Sequence, residues 1–190
     1  MAKRLDRILV IDVESTCWAG PPPRGQISEI IEIGLCVVDA QRLRRLEKRA
    51  IMVRPQVSEV SDFCTQLTSI TPEMAAAGIS LEQSLDMLSN EYQCYDRLFA
   101  SWGDYDRNQF QRNCDYFRLK YPFGPTHLNV KTLFAFAHSL PREVGIDAAC
   151  EIAGQPLEGT HHRGVDDAWN IAGLLCDLWR RLRQEPAAPA

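Results

Sequence analysis

The sequence predicts an α/β fold in which a mixed β-sheet is flanked by helices. Three apolar strand segments come first, and the short connections between them favour an antiparallel meander. Further along, strand segments alternate with segments of helical period, which is the order expected of a helix-covered sheet. With 190 residues, 45% of them hydrophobic and 24% charged, the chain has the size and composition of one globular domain. We expect that domain over residues 1–183 and a flexible C-terminal tail over residues 184–190.

Five segments carry strand signals, and the first is the clearest. Residues 7–13 form a short run rich in β-branched apolar side chains, as in a buried strand. In chain order, the strands are predicted at residues 7–13, 29–39, 45–54, 97–102 and 127–130.

Helical periodicity begins after the third strand. Ser80 is a good N-cap residue, and Leu81, Leu85 and Leu88 behind it share one helix face. Later helices are predicted at about residues 106–120, 131–138, 146–153 and 165–183. The core face of the last one carries Ile171, Leu174, Leu175, Leu178 and Leu182.

Charge and hydropathy narrow the class of protein. The net charge is −4, from 25 acidic and 21 basic residues, whereas a module that only binds duplex nucleic acid would normally be basic. An enzyme with acids clustered at a metal site remains compatible with this balance, because bound cations cancel the acids locally. No run approaches the roughly 18 consecutive apolar residues of a membrane span, and the charged start lacks the apolar stretch of a secretion signal. We therefore expect a cytoplasmic protein that does not contact a membrane.

The seven cysteines are scattered and odd in number, and none forms a C-x-x-C pair. This pattern fits neither a disulfide framework nor a zinc knuckle. Several have apolar neighbours, so we interpret them as buried free thiols.

Two carboxylates stand at the end of the first predicted strand, at Asp12 and Glu14. Because they are two positions apart, their side chains share one face of the strand. Such a pair is costly without a cation between the charges, which suggests a metal site. The alternative is a strand end that frays into solvent, where both acids would be harmless.

Two more segments place acids at helix starts. Residues 101–110 follow a strand and open a helix, so an aspartate there is either a functional group or a simple N-cap. His162 lies in a loop with glycines on both sides, and Asp167 falls in the first turn of the last helix. A histidine in such a polar loop is a candidate general base, although an acid near a helix N-terminus is also stabilised by the helix dipole alone.

Taken together, the three segments resemble the motifs of the DEDDh exonuclease superfamily, which includes ribonuclease T and the proofreading subunit of the bacterial replicative polymerase. The Asp-x-Glu motif of the first strand is matched by Asp12 and Glu14, and the aspartate that follows an aromatic residue is matched by Asp106. The His-x4-Asp motif is matched by His162 and Asp167. The resemblance implies a ribonuclease-H-like fold with a five-stranded mixed sheet flanked by helices.

Residues 11–17 look like the Asp-Phe-Glu-Ala-Thr-Cys signature of the histone-mRNA and RNA-interference-associated exonuclease subfamily. Residues 28–34, 61–71 and 162–167 are similar to the same subfamily, so the resemblance spans about residues 7 to 180. The chain has no room for the added RNA-binding domain of larger relatives, so a stem-loop preference carried by such a domain is not transferred.

The resemblance implies a two-metal hydrolysis. Asp12, Glu14, Asp106 and Asp167 would bind two Mg²⁺ or Mn²⁺ ions about 4 Å apart, and His162 would take the proton of the attacking water. Four carboxylates balance two divalent ions, so the site can accept a phosphate.

The substrate contacts follow from the same resemblance. The backbone at Ser15 and Thr16 would hold the terminal 3′-hydroxyl, and Trp18 and Phe63 are candidates to stack on terminal bases. For Phe63 a place in the core is the equal alternative.

Two assignments have neighbouring competitors. Asp104 competes with Asp106, and we prefer Asp106 because it follows an aromatic residue. The pair His161 and Asp166 mimics the spacing of the third motif, and we prefer Asp167 because an alanine follows it.

The sequence therefore predicts a 3′→5′ exonuclease that releases nucleoside 5′-monophosphates from the 3′ ends of single-stranded nucleic acid, with RNA favoured over DNA. The alternatives are a catalytically inactive nucleic-acid-binding module of the same fold and a DNA proofreading-type exonuclease or oligoribonuclease. All five site residues are present, which argues against the inactive module. RNA discrimination rests on the 2′-hydroxyl, and no residue identifies that contact. The oligomeric state stays open.

Overall fold

The computed structural model describes residues 4–184 and contains a five-stranded mixed sheet. The strands are β1 (Arg4–Ser15), β2 (Ile30–Asp39), β3 (Arg44–Met52), β4 (Arg97–Ser101) and β5 (His127–Asn129). Their order across the sheet is β3-β2-β1-β4-β5. The first three strands pair antiparallel, and β4 and β5 run parallel to β1. The predicted meander and the predicted mixed sheet are both confirmed.

Seven helices accompany the sheet in the described part of the chain. They are α1 (Asp62–Thr68), α2 (Pro72–Ala76), α3 (Leu81–Asn90), α4 (Tyr105–Phe117), α5 (Val130–Ala137), α6 (Ile146–Ala153) and α7 (Gly164–Gln184). The bounds of α6 agree with the prediction, and Ser80 caps α3 through a capping box as its residue type suggested. Helix α7 includes Gln184, and the rest of the predicted tail lies outside the described residues.

The short helices α1 and α2 were not predicted. They have seven and five residues, which is too short for a helical period to appear in the sequence. Each begins at a hydroxyl N-cap, where Ser61 and Thr71 accept a hydrogen bond from the backbone N–H three residues later.

The two faces of β1 belong to different cores. Ile8 and Val10 pack with α5, α6 and α7, whereas Leu9, Ile11 and Val13 pack with α3 and α4. Because strand side chains alternate, the next two side chains on the face of Val10 project towards α7. Those side chains are the two acids of the first motif.

All seven cysteines are free, and six of them are buried, as predicted. None of the helices between residues 4 and 184 is both long and apolar enough to cross a bilayer.

Candidate active site

Three distant stretches of the chain meet at one end of the sheet. Asp12 and Glu14 lie at the carboxyl end of β1, and the parallel neighbour β4 leads into α4, which carries Asp106 in its first turn. Helix α7 packs against β1 and β2 and brings Asp167 to the same end. These four acids and His162 line one pocket of about 310 Å³. The structure thus brings together all five residues that the sequence singled out as catalytic.

The four carboxylates crowd one another. Oxygen atoms of Asp12, Glu14 and Asp167 lie within 4.8 Å of one another. Burial is the main cause that raises the pKa of Asp12 well above its usual value of 3.8, and the charges of the other three acids raise it further. Burial and the neighbouring acids also raise the pKa of Glu14 from 4.5 to about 9. The site therefore holds more negative charge than it can stabilise without a cation or bound protons.

The structure distinguishes between Asp106 and Asp104. Asp106 is buried, and its carboxylate accepts a hydrogen bond of 2.9 Å from the backbone N–H of Val13, which ties α4 to β1 beside the first motif. Burial raises the pKa of Asp106 from 3.8 to about 7. The side chain of Asp104 is half exposed and lies 3.3 Å from Arg107 on the outside of α4. The geometry therefore favours the residue that we preferred.

The loop before α7 carries two histidines into the site. The backbone of His162 adopts a left-handed φ of 63°, and its N–H donates a 2.9 Å hydrogen bond to Asp167. The ring of His161 lies 3.1 Å from the other oxygen of Asp167 and stacks on the His162 ring at 4.0 Å. His161 also lines the pocket, which the sequence analysis considered only for the alternative register. Its partner in that register, Asp166, is turned away and pairs with Lys48 at 2.5 Å.

The pKa of His162 is lowered from 6.5, mainly because burial disfavours the imidazolium and also because His161 is close. The neutral ring, which has a free nitrogen lone pair, therefore predominates at pH 7.

A buried ion pair that the sequence analysis did not assign holds this loop in place. Glu32, on β2, is fully buried and accepts hydrogen bonds from Nε and Nη2 of Arg163 at 3.2 and 3.1 Å, and from the N–H of Gly164 at 3.0 Å. Next to it, a Cβ added at Gly34 would lie 1.9 Å from the carbonyl carbon of Gly164. The start of α7 is therefore packed directly on the β2 backbone. An acid inside the apolar run of β2, away from the strand end at Asp39, was the available signal for Glu32.

The predicted substrate contacts lie on the strand end and the segments after it. Ser15 and Thr16 are buried, whereas Trp18 is half-buried. Thr16 is engaged internally, since its N–H donates to Glu29 and its hydroxyl bonds the backbone of residues 27 and 29. Thr16 thus shapes the end of β1. The contact of the Ser15 and Thr16 backbone with a terminal 3′-hydroxyl stays a prediction, and it concerns the backbone groups that make no hydrogen bond within the protein.

Phe63 is not a core residue. It is 40% exposed on α1. Its helix is fixed to the residues after Glu14 by a 2.6 Å hydrogen bond from the Ser61 hydroxyl to the carbonyl of Cys17. Two further aromatic residues, Trp102 and Tyr105, line the pocket itself. Trp102 packs on Phe134 and also faces the site.

Known proteins similar to this chain are exonucleases. A family model described as "Exonuclease" (RNase T) matches residues 9–175. Among curated proteins, 3′-5′ exoribonuclease 1 of Rattus norvegicus is 31% identical over 179 residues, covering 89% of this chain and 52% of the rat protein. The corresponding human protein is 29% identical, with 89% of this chain and 51% of the human protein covered. The chain thus spans about half the length of these curated relatives.

Among solved structures, the nuclease domain of 3′hExo, described as a DEDDh family member bound to rAMP, superimposes with a TM-score of 0.85. It is 27% identical in sequence, and the match covers 95% of both chains. The ribonuclease-H-like fold of the DEDDh exonucleases is therefore the fold of this chain.

Proposed function

The chain belongs to the RNase T-type exonuclease family, and we propose that it is a metal-dependent 3′→5′ exonuclease acting on single-stranded RNA. One observation carries the proposal. Four carboxylates from three parts of the chain converge in an open pocket next to a histidine that is neutral at pH 7. The hydrogen bonds that Asp106 and Asp167 accept from the backbone do not account for the charge that Asp12 and Glu14 add at the same point.

The donor set fits hard divalent cations. The four acids offer only oxygen ligands, which suit Mg²⁺ or Mn²⁺ better than zinc. Asp12, Glu14, Asp106 and Asp167 would hold the metal, and two ions per site would balance their formal charge. Bound there, the metal supplies positive charge that draws in the scissile phosphate and stabilises the charge that develops on it.

His162 supplies the base in this proposal. Its neutral ring takes a proton from the water whose oxygen forms the new bond to phosphorus, while the bond from phosphorus to the 3′-oxygen of the preceding nucleotide breaks. The product is a nucleoside 5′-monophosphate, and the shortened strand keeps a 3′-hydroxyl. Asp167 orients the loop through the N–H of His162, and its other oxygen holds His161 beside the base.

In this proposal, the 3′ end of the substrate is bound by the end of β1 and by the segments that follow it. Backbone groups of Ser15 and Thr16 would contact the terminal 3′-hydroxyl. Trp18 and Phe63 would stack on terminal bases, a contact that tolerates any base. The exposure of Phe63 supports this role. RNA is favoured because the similar curated proteins are exoribonucleases and the similar nuclease domain is described as bound to rAMP.

A direct test is digestion of 5′-labelled single strands of RNA and DNA of the same sequence, with Mg²⁺ and again with chelator. We expect a ladder of products that carry 3′-hydroxyls, faster on RNA, and no ladder in chelator. Asp12→Asn should abolish the ladder, whereas the matched control Asp115→Asn, which removes an exposed acid of α4, should leave it unchanged.

Products that end in 3′-phosphates, or cleavage that persists in chelator, would contradict the mechanism. Equal rates on both strands would retain the exonuclease and remove the RNA preference, and faster cleavage of DNA would point to the proofreading-type alternative. The cytoplasmic location remains a prediction, which fractionation of cells that express the full-length protein would check.

A further inference from the structure

A basic pocket lies beside α7 on a face turned away from Asp167, because about two and a half helical turns separate Asp167 from Cys176 in the pocket lining. Its volume is about 360 Å³, within the range of small-ligand sites. Its charged lining residues are Arg44 and Arg45 on β3 and Arg180 on α7, and none of the described residues that line it is acidic. Gly173 forms part of the wall, where a Cβ would come within 3.4 Å of the Arg45 guanidinium. We call it the arginine pocket.

Of the three arginines that line this pocket, Arg44 lies 4.0 Å from Asp39 and Arg45 lies 2.9 Å from Glu158, whereas Arg180 is held by a backbone carbonyl. Arg180 donates to the carbonyl of Leu43, and Arg183 donates to the carbonyls of Gln41 and Ala40. A carbonyl acceptor orients a guanidinium without cancelling its charge. The nearest acid of this turn, Asp39, lies at 4.0 Å from Arg44, which keeps 58% of its side chain exposed. The three lining arginines outnumber their two acidic partners, so the pocket keeps a net positive charge in a chain whose net charge is −4.

Stabilisation of the α7 C-terminus by basic residues accounts for only part of this arrangement. Cations near a helix C-terminus are favourable towards the helix dipole. Arg180 and Arg183, however, reach across to the turn between β2 and β3. Arg44 belongs to β3, so stabilisation of the helix dipole does not explain its position.

The arginine pocket also borders the loop that carries His162. Arg45 stacks on the Trp169 ring at 4.1 Å and pairs at 2.9 Å with Glu158, in the segment between α6 and α7 that also carries His162. Along α7, Gly173 is six residues beyond Asp167, an axial distance of about 9 Å at about 1.5 Å per residue. Crossing a helix about 10 Å wide brings the separation from the carboxylates to about 15 Å. At the stacked spacing of about 3.4 Å per nucleotide, a stacked strand covers this distance with about four nucleotides.

We infer that the arginine pocket is a second phosphate-binding site, which holds a backbone phosphate of the nucleic-acid substrate several nucleotides 5′ of the scissile bond. Guanidinium groups match phosphate oxygens in geometry and remain charged at every physiological pH. The net negative charge of the chain would otherwise repel a polyanion, and this pocket offsets that repulsion for longer strands. The inference rests on the proposed exonuclease function.

The test uses the double variant Arg44→Gln/Arg180→Gln with RNA strands of three and of twelve nucleotides. Arg45 is left in place because its ion pair supports the His162 loop. We expect KM for the twelve-nucleotide strand to rise about three- to tenfold, with kcat unchanged and with no effect on the three-nucleotide strand. Binding of the longer strand in chelator is followed by fluorescence anisotropy. Its log–log salt slope should become shallower by about 0.7 for each phosphate that the variant no longer neutralises.

Two controls separate this effect from a general loss of charge or of fold. Arg118→Gln removes one exposed arginine at the far end of α4 and should leave KM and the salt slope unchanged at both lengths. Arg44→Lys/Arg180→Lys keeps the charge and should restore most of the affinity for the longer strand.

The outcomes that overturn the inference are distinct from failure of the proposed function. If the wild-type protein cleaves neither strand, the exonuclease function fails. If it cleaves both and the double Gln variant shows the same KM and salt slope on the longer strand, the second phosphate site is wrong. An equal rise of KM on both lengths would likewise refute it, because a remote contact cannot act on a strand too short to reach it.

Discussion

Glu14→Gln should stabilise the metal-free protein at alkaline pH while it abolishes activity. In the folded protein without metal, the pKa of Glu14 is raised from 4.5 to about 9, so the folded state binds this proton more tightly than the unfolded chain does. Between those two pH values the unfolded state is favoured progressively as pH rises. Glutamine has nearly the same shape and no charge, so it removes this destabilisation.

The size of the stability gain follows from the raised pKa of Glu14. A pKa difference of about 4.5 units corresponds to about 6 kcal/mol at about 1.36 kcal/mol per unit, which is an upper limit. Asp12 and Asp106 have raised pKa values as well, and they take up protons when Glu14 loses its own, which reduces the effect. We expect about 2 kcal/mol at pH 8.5, which is a rise in Tm of about 4–8 °C for a domain of this size.

The assay is thermal unfolding in chelator at pH 5.5, 7 and 8.5, and again with 10 mM Mg²⁺. The advantage of Glu14→Gln should grow with pH in chelator and should shrink or reverse with Mg²⁺, because the metal stabilises the carboxylate form of the wild-type site. Glu151→Gln removes an exposed charge on α6 and serves as the control. A Glu14→Gln variant that is no more stable than the wild type at pH 8.5 in chelator, or whose advantage does not change with pH, would refute the reasoning.

Three further predictions concern the same site. Asp106→Asn should lower kcat about 100-fold or more, the size typical for a group that acts on the reacting atoms, whereas Asp104→Asn should stay within about threefold in the same assay. His162→Ala should lower kcat by about 10²- to 10⁴-fold with little change in KM, and an unchanged pH–rate profile in this variant would remove it as the base. Gly34→Ala should cost about 3 kcal/mol or more in urea unfolding, because its Cβ would lie 1.9 Å from the backbone of the first α7 residue; Gly20→Ala, with open space around it, should be neutral.

The sheet and the long helices could be predicted from the sequence because their signals are local. Strand β1 contains a continuous apolar run over residues 8–11, and α6 carries its whole period within eight residues. The strand bounds were less accurate at β1, which begins at Arg4 in the structure and residue 7 in the prediction, because its first residues are mostly polar and exposed. The short helices α1 and α2 depend on their N-caps and on contacts with the end of β1. A periodic pattern of apolar residues does not reveal such contacts.

The convergence of the four acids could be predicted because their three motifs together resemble those of a known exonuclease superfamily, but the residues that support these acids could not be predicted. Glu32 and Arg163 are 131 positions apart, and only the fold makes them partners. The second histidine of the site, His161, was visible in the sequence as a competitor of His162. Its contact with Asp167 depends on the left-handed backbone at position 162, which non-glycine residues rarely adopt.

The four acids differ in how much the fold itself depends on them, and this decides which substitutions are informative about metal binding. Asp106 accepts the N–H of Val13, and Asp167 accepts the N–H of His162, so both carboxylates hold backbone segments in place as well as facing the pocket. Loss of activity on replacing either one is therefore expected even if neither binds a metal. Glu14 lies where the register of β1 against β2 shifts, and its pKa is raised by burial first and by repulsion from other acids second. A gain in stability together with a loss of activity at Glu14 would separate a metal ligand from a structural acid, because a carboxylate kept for the fold cannot be removed with a gain.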